Sequence, residues 1–317
     1  MRKTTRLREL FYRPEILVLP GTCNALQARM VQAAGFEACY MSGGGTSNSL
    51  LGVPDAGFTT LSEMLLNAGY IASAIDLPLF SDADTGYGNA LNVYYAIQRF
   101  VQAGVAGVHL EDQVFPKRCG YVAGKEVISL EEAVGKYRAA MDAKRELDAD
   151  FVLVARTDAR SAANGGLGEA IRRGQAYCRE ARVDAVYFEG APSREELGEF
   201  VAAIRDVDAE VPIMAGTSAI SPPPTWEELQ ALGLAVAFYP GAAFQAANVA
   251  AWDYLHDFKQ RGVQALVEFQ ERTRGHPLAG FGVNDLVGFP ALRQREERYL
   301  PAGALEKYDQ SAGVYTP

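Results

Sequence analysis

Short apolar runs alternate with longer amphipathic stretches along most of the chain. The runs ILVLP (16–20), EACYMS (37–42), LPLFSD (77–82), AGVHLED (106–112), FVLVART (151–157), AVYFEG (185–190), VPIMAG (211–216) and LAVAFYP (234–240) have the length of strands buried on both faces. The stretches between them, such as ALNVYYAIQRFVQAG and SREELGEFVAAIRDV, carry apolar residues at helical spacing. Four helix starts are marked by Ser or Thr three residues before Glu: Thr60/Glu63, Ser129/Glu132, Ser193/Glu196 and Thr225/Glu228. Gly35 and Gly104 stand where helices should end.

Eight strands alternating with helices predict a (β/α)8 TIM barrel of the α/β class. A doubly wound open sheet is the competing arrangement, but no GxGxxG follows the first strand. Residues 4–12 predict a helix that plugs the lower end of the barrel. After Pro240, AAFQAANVAAWDYLHDFKQRG reads as the eighth helix, and VQALVEFQERT and DLVGFPALRQREERYL read as further helices suited to oligomer contacts. The expected organisation is one domain, with the barrel over 15–260 and a helical extension over 261–317.

Composition narrows the function. Of 317 residues, 49% are hydrophobic, enough to bury a large core and exclude a disordered chain. Asp plus Glu outnumber Lys plus Arg by 39 to 30, a net charge of −9, which argues against a nucleic-acid partner. No run approaches the ~20 apolar residues of a membrane span. The basic start MRKTTRLRELFYRPE lacks the apolar segment of an export signal. Cys23, Cys39, Cys119 and Cys178 have no CxxC spacing, so a reducing cytoplasm is the expected setting.

In a barrel of this class, chemistry gathers at the C-terminal ends of the strands. Unusual polar residues gather there. Asp82 and Asp84 follow the third strand and Glu111 the fourth. Single acidic residues at such positions often serve as caps or rim salt bridges. An Asp-x-Asp beside a Glu one strand on favours a hard divalent cation, Mg2+ or alternatively Mn2+. Ser42-Gly43-Gly44-Gly45 reads as a backbone-donor loop for an anion. Arg156 suits either a substrate carboxylate or an ion pair with Glu111 or Glu189. Lys117 and Arg118 flank Cys119, an arrangement expected to lower its thiol pKa. The following GYVAGK supplies glycine hinges for a lid.

The set YMSGGG, LGVPD, DADTGYG, HLEDQ, KRCGY, ARTDAR and FEG, in this order, resembles the isocitrate lyase / phosphoenolpyruvate mutase superfamily, nearest its 2-methylisocitrate lyase-like and dimethylmalate lyase-like branch. The resemblance spans about residues 15–260. It implies an Mg2+-dependent barrel, a homotetramer with the last barrel helix exchanged between paired subunits, and a lyase cleaving C2–C3 of a small 2-hydroxy carboxylate to a 2-oxo acid (pyruvate or glyoxylate) and a carboxylic acid. It assigns Asp82, Asp84 and Glu111 to the metal, directly or through water, with Asp55 outside them. Ser42, Gly43 and Gly44 would donate to the substrate carboxylate, with Arg156 as its charge partner. Tyr40 would be the base for the 2-hydroxyl, Glu189 would orient the pocket or relay that proton, and Cys119 would protonate the carbanion. Lys117, Arg118, Gly120 and Tyr121 complete the substrate-facing loop.

Three positions depart from the family lyases. Tyr121 stands where they carry His. The seventh strand ends in Ala215-Gly216-Thr217-Ser218-Ala219-Ile220 rather than in side chains that grip succinate. Gln245 takes the place of an Arg. Together they point to a substituted malate rather than a tricarboxylate. The enzymatic rival is an oxaloacetate-type 2-oxo acid hydrolase or decarboxylase. The rival of another class is a non-catalytic carboxylate-binding barrel.

Overall fold

The computed structural model describes residues 1–310 and residue 313. Eight strands, β1 (Leu17–Thr22), β2 (Cys39–Met41), β3 (Leu79–Asp82), β4 (Gly107–Glu111), β5 (Val152–Thr157), β6 (Ala185–Phe188), β7 (Ile213–Ala215) and β8 (Val236–Tyr239), close in chain order into a barrel. Every pairing is parallel. Each strand falls on one of the apolar runs, because a parallel strand covered on both faces needs apolar residues at successive positions.

The expected helix starts form. Thr60 and Thr225 make reciprocal capping boxes with Glu63 and Glu228, while the Ser129 and Ser193 hydroxyls accept from the N–H groups of Glu132 and Glu196. Gly35 and Gly104 take the left-handed conformation that ends a helix, at φ 87° and 84°.

The core has two layers. One lies between strands and helices. The other fills the barrel interior with Leu17, Leu19, Tyr40, Phe80, Val152, Val154, Tyr187, Met214, Val236 and Phe238. The N-terminal helix, Lys3–Tyr12, closes the lower end by driving Leu7, Leu10 and Phe11 into this inner layer. The Phe11 and Phe80 rings lie 5.5 Å apart. Polar anchors hold the plug: Lys3 Nζ donates to the carbonyls of Ala72 and Ile75, and Arg8 pairs with Asp184 at 2.7 Å.

The chain falls into two compact units, residues 1–244 and 245–317. The helix Ala242–Arg261 buries none of its side chains. Within the second unit it is followed by helices Val263–Arg272, Gly282–Val287 and Phe289–Tyr299. Tyr254 packs on Phe269 at 4.7 Å, and Arg261 pairs with Asp257 and Glu268. Trp252 stays 66% exposed and Val249 62%. Among the described residues, no helix is long and apolar enough to cross a membrane.

Candidate active site

The barrel register brings distant acidic residues to one rim. Asp82 stands level with His109, and Glu111 with Arg156, as paired positions on neighbouring strands. The Tyr40 hydroxyl donates to Asp82 Oδ2 at 3.2 Å and lies 2.8 Å from His109 Nε2. The N–H of Asp84 donates to Asp82 Oδ1 at 2.9 Å. Asp84 and Tyr87 hold positive φ, 47° and 62°, a backbone strain concentrated beside these carboxylates.

Charge on the rim is balanced by two buried cations. Lys117 Nζ contacts Asp55, and Asp84 Oδ1 at 2.7 Å. Arg156 Nη2 lies 3.3 Å from Glu111 and 3.8 Å from Glu189, and its ring neighbour is Tyr187. Burial raises the Asp82 carboxyl, but His109, Lys117 and Arg156 outweigh it and bring the pKa to about 2. Burial pushes His109 itself down to about 4, so at pH 7 it is neutral and the two fixed cations hold Asp82 ionised. Burial and the neighbouring Asp82 charge push Asp84 up to about 6 despite Lys117.

Two expected roles look different in this geometry. Burial and the Asp82 charge raise the Tyr40 phenol well above its ordinary value, so the residue expected to act as a base is here a protonated hydrogen-bond donor. The Ser42-Gly43-Gly44 segment forms not an open loop but the start of a short helix, Gly43–Thr46, with the Ser42 hydroxyl accepting from Gly45 N–H. Its glycines give carboxylates room. A Cβ on Gly43 would lie 2.5 Å from Asp82 Oδ2, and one on Gly44 3.0 Å from Asp55 Oδ2.

The thiol loop spans residues 113–127. Its ends are tied by an antiparallel bridge between Gln113 and Val127, and the Gln113 side chain brackets the Arg118 backbone. Cys119 N–H donates to the Asp55 carbonyl at 3.1 Å. Gly120 packs so closely on the rim that a Cβ there would meet Glu189 Oε1 at 2.1 Å and Arg156 Nη2 at 2.7 Å. The Tyr121 hydroxyl accepts from Ser218 N–H at 3.3 Å. Lys117 points in, whereas Arg118 is exposed. The expected depression of the Cys119 pKa does not occur. Burial raises it, and the Lys117 charge is spent on Asp55 and Asp84. Cys23, Cys39 and Cys178 are buried free thiols, as core filler should be.

Sequence reasoning passed over Asp158 and Lys125. Asp158 receives Arg156 through two bonds, Nε at 2.8 Å and Nη2 at 3.0 Å, and pairs with Lys125 at 3.1 Å. Asp158 sat in the ARTDAR motif and Lys125 in GYVAGK, but the pairing depends on how the loop folds back over β5.

The donor set fits a hard divalent cation. All candidate ligands are oxygens, and Glu111 Oε1 is buried with no hydrogen-bond partner. Asp84 Oδ1 touches Lys117 but lacks hydrogen-bond alignment. Among the described residues no three acidic, His or Cys groups form a ready-made cage. The fit therefore rests on the oxygen donors and the unpartnered Glu111 Oε1; Mg2+ takes a few carboxylates and completes its shell with water and substrate oxygens.

The family model described as phosphoenolpyruvate phosphomutase matches residues 7–258. The chain is 36% identical over 304 residues to 2,3-dimethylmalate lyase of Eubacterium barkeri, covering 94% of this chain and 99% of that protein. It is 40% identical over 261 residues to 2-methylisocitrate lyase of Escherichia coli K12, covering 81% and 85%. Three similar solved structures are a lyase and two hydrolases. For 2,3-dimethylmalate lyase the TM-score is 0.84 at 28% identity, with 99% of both chains covered. For oxaloacetate acetylhydrolase in complex with 3,3-difluorooxalacetate it is 0.83 at 34% identity, covering 93% and 96%. For phosphonopyruvate hydrolase in complex with oxalate and Mg++ it is 0.81 at 31% identity, covering 95% and 100%. With this barrel, this carboxylate rim and these relatives, the chain belongs to the phosphoenolpyruvate mutase / isocitrate lyase superfamily and stands within it among the carbon–carbon lyases.

Proposed function

We propose that the chain cleaves the C2–C3 bond of a substituted malate, releasing a 2-oxo acid and a carboxylic acid. Bound by Asp82, Asp84 and Glu111, directly or through water and with Asp55 outside them, Mg2+ (or Mn2+) would polarise the substrate oxygens and stabilise the enolate-like charge. Arg156 pairs with a substrate carboxylate, to which Ser42, Gly43 and Gly44 also donate; the Ser42 N–H is committed to the Thr22 carbonyl at 3.0 Å and the Gly43 N–H reaches Asp82 Oδ2 at 3.3 Å, so the Ser42 hydroxyl and the Gly44 N–H carry most of that role. The 2-hydroxyl gives up its proton as C2–C3 breaks; Tyr40, itself protonated, can take that proton only by passing its own on within its hydrogen bonds to Asp82 and His109, and Glu189 orients the pocket or relays the proton. The electron pair of the broken bond stays on C3 of the departing acid, and Cys119 Sγ supplies its proton.

The thiol loop carries the reading. Gly120 packs against Arg156 and Glu189, so Cys119 stands at the lip of the rim. Burial keeps its sulfur protonated, the form a proton donor needs. Tyr121 and Gly216 then argue for the substrate. The phenol, pushed up to about 12, is neutral at pH 7 and leaves no cation for a third carboxylate. Desolvating that carboxylate without a partner would disfavour a tricarboxylate by about 10²-fold or more.

The test is a screen of C2- and C3-substituted malates, methylisocitrate and oxaloacetate with Mg2+, detecting pyruvate or glyoxylate. Dimethylmalate should exceed methylisocitrate in kcat/KM; equal turnover of the two overturns the substrate assignment. The likeness to oxaloacetate acetylhydrolase supports a second reading, hydrolysis or decarboxylation of a 2-oxo acid. That reaction also leaves an enolate that must be protonated, so its products decide: oxaloacetate yielding oxalate and acetate, or pyruvate and carbon dioxide, with no substituted malate turned over, favours the second reading.

Assembly into a homotetramer is part of the proposal. The helix Ala242–Arg261 carries Val249, Trp252 and Leu255 exposed, an apolar face suited to a second copy. Light scattering that finds a monomer overturns it. The proposed setting is a reducing cytoplasm, where the four thiols stay free.

A further inference from the structure

A lysine buried inside an otherwise exposed loop calls for a reason. Lys125 is 1% exposed, while Gly124 and Glu126 on either side face solvent. Taking an ammonium out of water is costly unless it is paired and hydrogen-bonded. Lys125 Nζ has two partners: it donates to the carbonyl of Gly120 and pairs with Asp158 Oδ1 at 3.1 Å. Gly120 is the residue after Cys119 and the one that packs on Arg156 and Glu189. Asp158 is the residue that receives Arg156 by two bonds.

One carboxylate therefore serves both sides of the site. Asp158 is fully buried and is itself fixed from behind. Its N–H donates to Asp112 Oδ1 at 2.9 Å, and Asp112 is held by Arg173 at 3.2 Å and by the Tyr177 hydroxyl at 2.6 Å. The loop's return strand is clamped to the segment after β5. Ala163 N–H donates to the Lys125 carbonyl at 2.8 Å, and the Asn164 side chain brackets the Val127 backbone at 2.9 Å on each side. These bonds hold the base of the loop. Lys125 reaches forward from this base to Gly120 at the tip, where Gln113 on Arg118 and the Asp55 carbonyl on Cys119 N–H also hold the loop.

We propose that Lys125 is a positioning residue: its ammonium latches the Cys119 loop, through Gly120, to the Asp158 carboxylate that orients Arg156. Seating of the thiol and orientation of the arginine are thereby coupled through one anchor. The latch rests on the proposed role of Cys119 only where turnover is read. Seating of the loop can be read without any substrate.

The experiment compares the parent protein with Lys125→Met, Lys125→Arg and Asp158→Asn. It reads the alkylation rate of Cys119, mapped by mass spectrometry, with buried Cys23, Cys39 and Cys178 as internal references, and kcat and KM on whichever substrate is turned over. Lys125→Met should alkylate Cys119 about tenfold faster and lower kcat about tenfold, with KM within about threefold, because Arg156 keeps both bonds to Asp158. Asp158→Asn should also speed alkylation and raise KM about tenfold, because Arg156 loses its charged partner. Lys125→Arg, which retains a cation and its donors, should restore both readouts to within about threefold of the parent. The latch is overturned if Lys125→Met labels Cys119 at the parent rate while the other three thiols stay protected. If Lys125→Met exposes all four thiols, Lys125→Gln carries the same comparison, with parent-rate labelling again counting against the latch. A protein that turns over no malate but labels faster in Lys125→Met would refute the proposed function and leave the latch standing.

Discussion

The Tyr121 hydroxyl lies 2.8 Å from the point that a Cβ on Gly216 would occupy. The two residues are about a hundred positions apart, yet each explains the other. Gly216 leaves space at the end of β7, and the phenol fills it and takes the Ser218 N–H. A methyl group at 216 would also approach Glu189 Oε2 to 2.6 Å. Gly216→Ala should lower kcat/KM about tenfold or more by displacing Tyr121, whereas Tyr121→Phe, which loses one hydrogen bond, should cost about threefold. Steady-state kinetics on the two variants check this; an unimpaired Gly216→Ala would mean that the ring does not work from this position.

Cys119 offers a prediction with a pH signature. Its pKa is raised by burial, so the thiol stays protonated below the ordinary value and ionises only above it. Alkylation of Cys119 should therefore still be climbing above pH 9, without the plateau near neutrality that a cation-activated thiolate would give. Cys119→Ser should lower lyase kcat by about 10²–10⁴, the usual contribution of a positioned acid. Rate-against-pH labelling and turnover of the variant decide both points.

Metal dependence follows from the rim. Chelation should abolish turnover, and Mg2+ or Mn2+ should restore it. Because a ligand that binds only the folded state raises its stability, added Mg2+ should also raise the thermal midpoint of the parent protein. Asp82→Asn and Asp84→Asn should each need about tenfold more metal for the same midpoint shift. A midpoint insensitive to Mg2+ in the parent would remove these carboxylates from metal binding.

What could be read from the sequence was what is local. Strand runs, capping pairs such as Thr60 with Glu63, and the apolar stripe of the N-terminal plug are set by neighbours a few residues apart, and each forms as expected. The rim acids were legible because barrel topology sends every strand end to one face. Pairing across the rim was not. Arg156 could have met Glu111, Glu189 or a substrate; it meets both acids and is held chiefly by Asp158, two residues on in its own segment. The thiol's pKa was misread for the same reason. Adjacency in KRC suggested a cationic surrounding, but the backbone turns Lys117 inward to Asp55 and leaves Arg118 in solvent. Glycines 43 and 44 suggested an anion loop, yet their missing side chains also make way for Asp82 and Asp55.

The plug separates stability from chemistry. Leu7 is fully buried at the lower end of the barrel, where Gly107 leaves it room: a Cβ on residue 107 would lie 2.9 Å from Leu7 Cδ2. The functional rim lies at the opposite, C-terminal ends of the strands. Leu7→Ala removes apolar atoms from a closed inner layer that backbone on every side prevents from collapsing, so the cost should be about 2–5 kcal/mol. The variant should unfold at lower urea concentration with an unchanged slope, because it exposes the same surface on unfolding. Its kcat and KM at low temperature should match the parent, since the Phe80 ring stands between Phe11 of the plug and Tyr40 and His109 at the rim. Loss of kcat in a variant still folded at the assay temperature would mean that the lower end of the barrel tunes the rim.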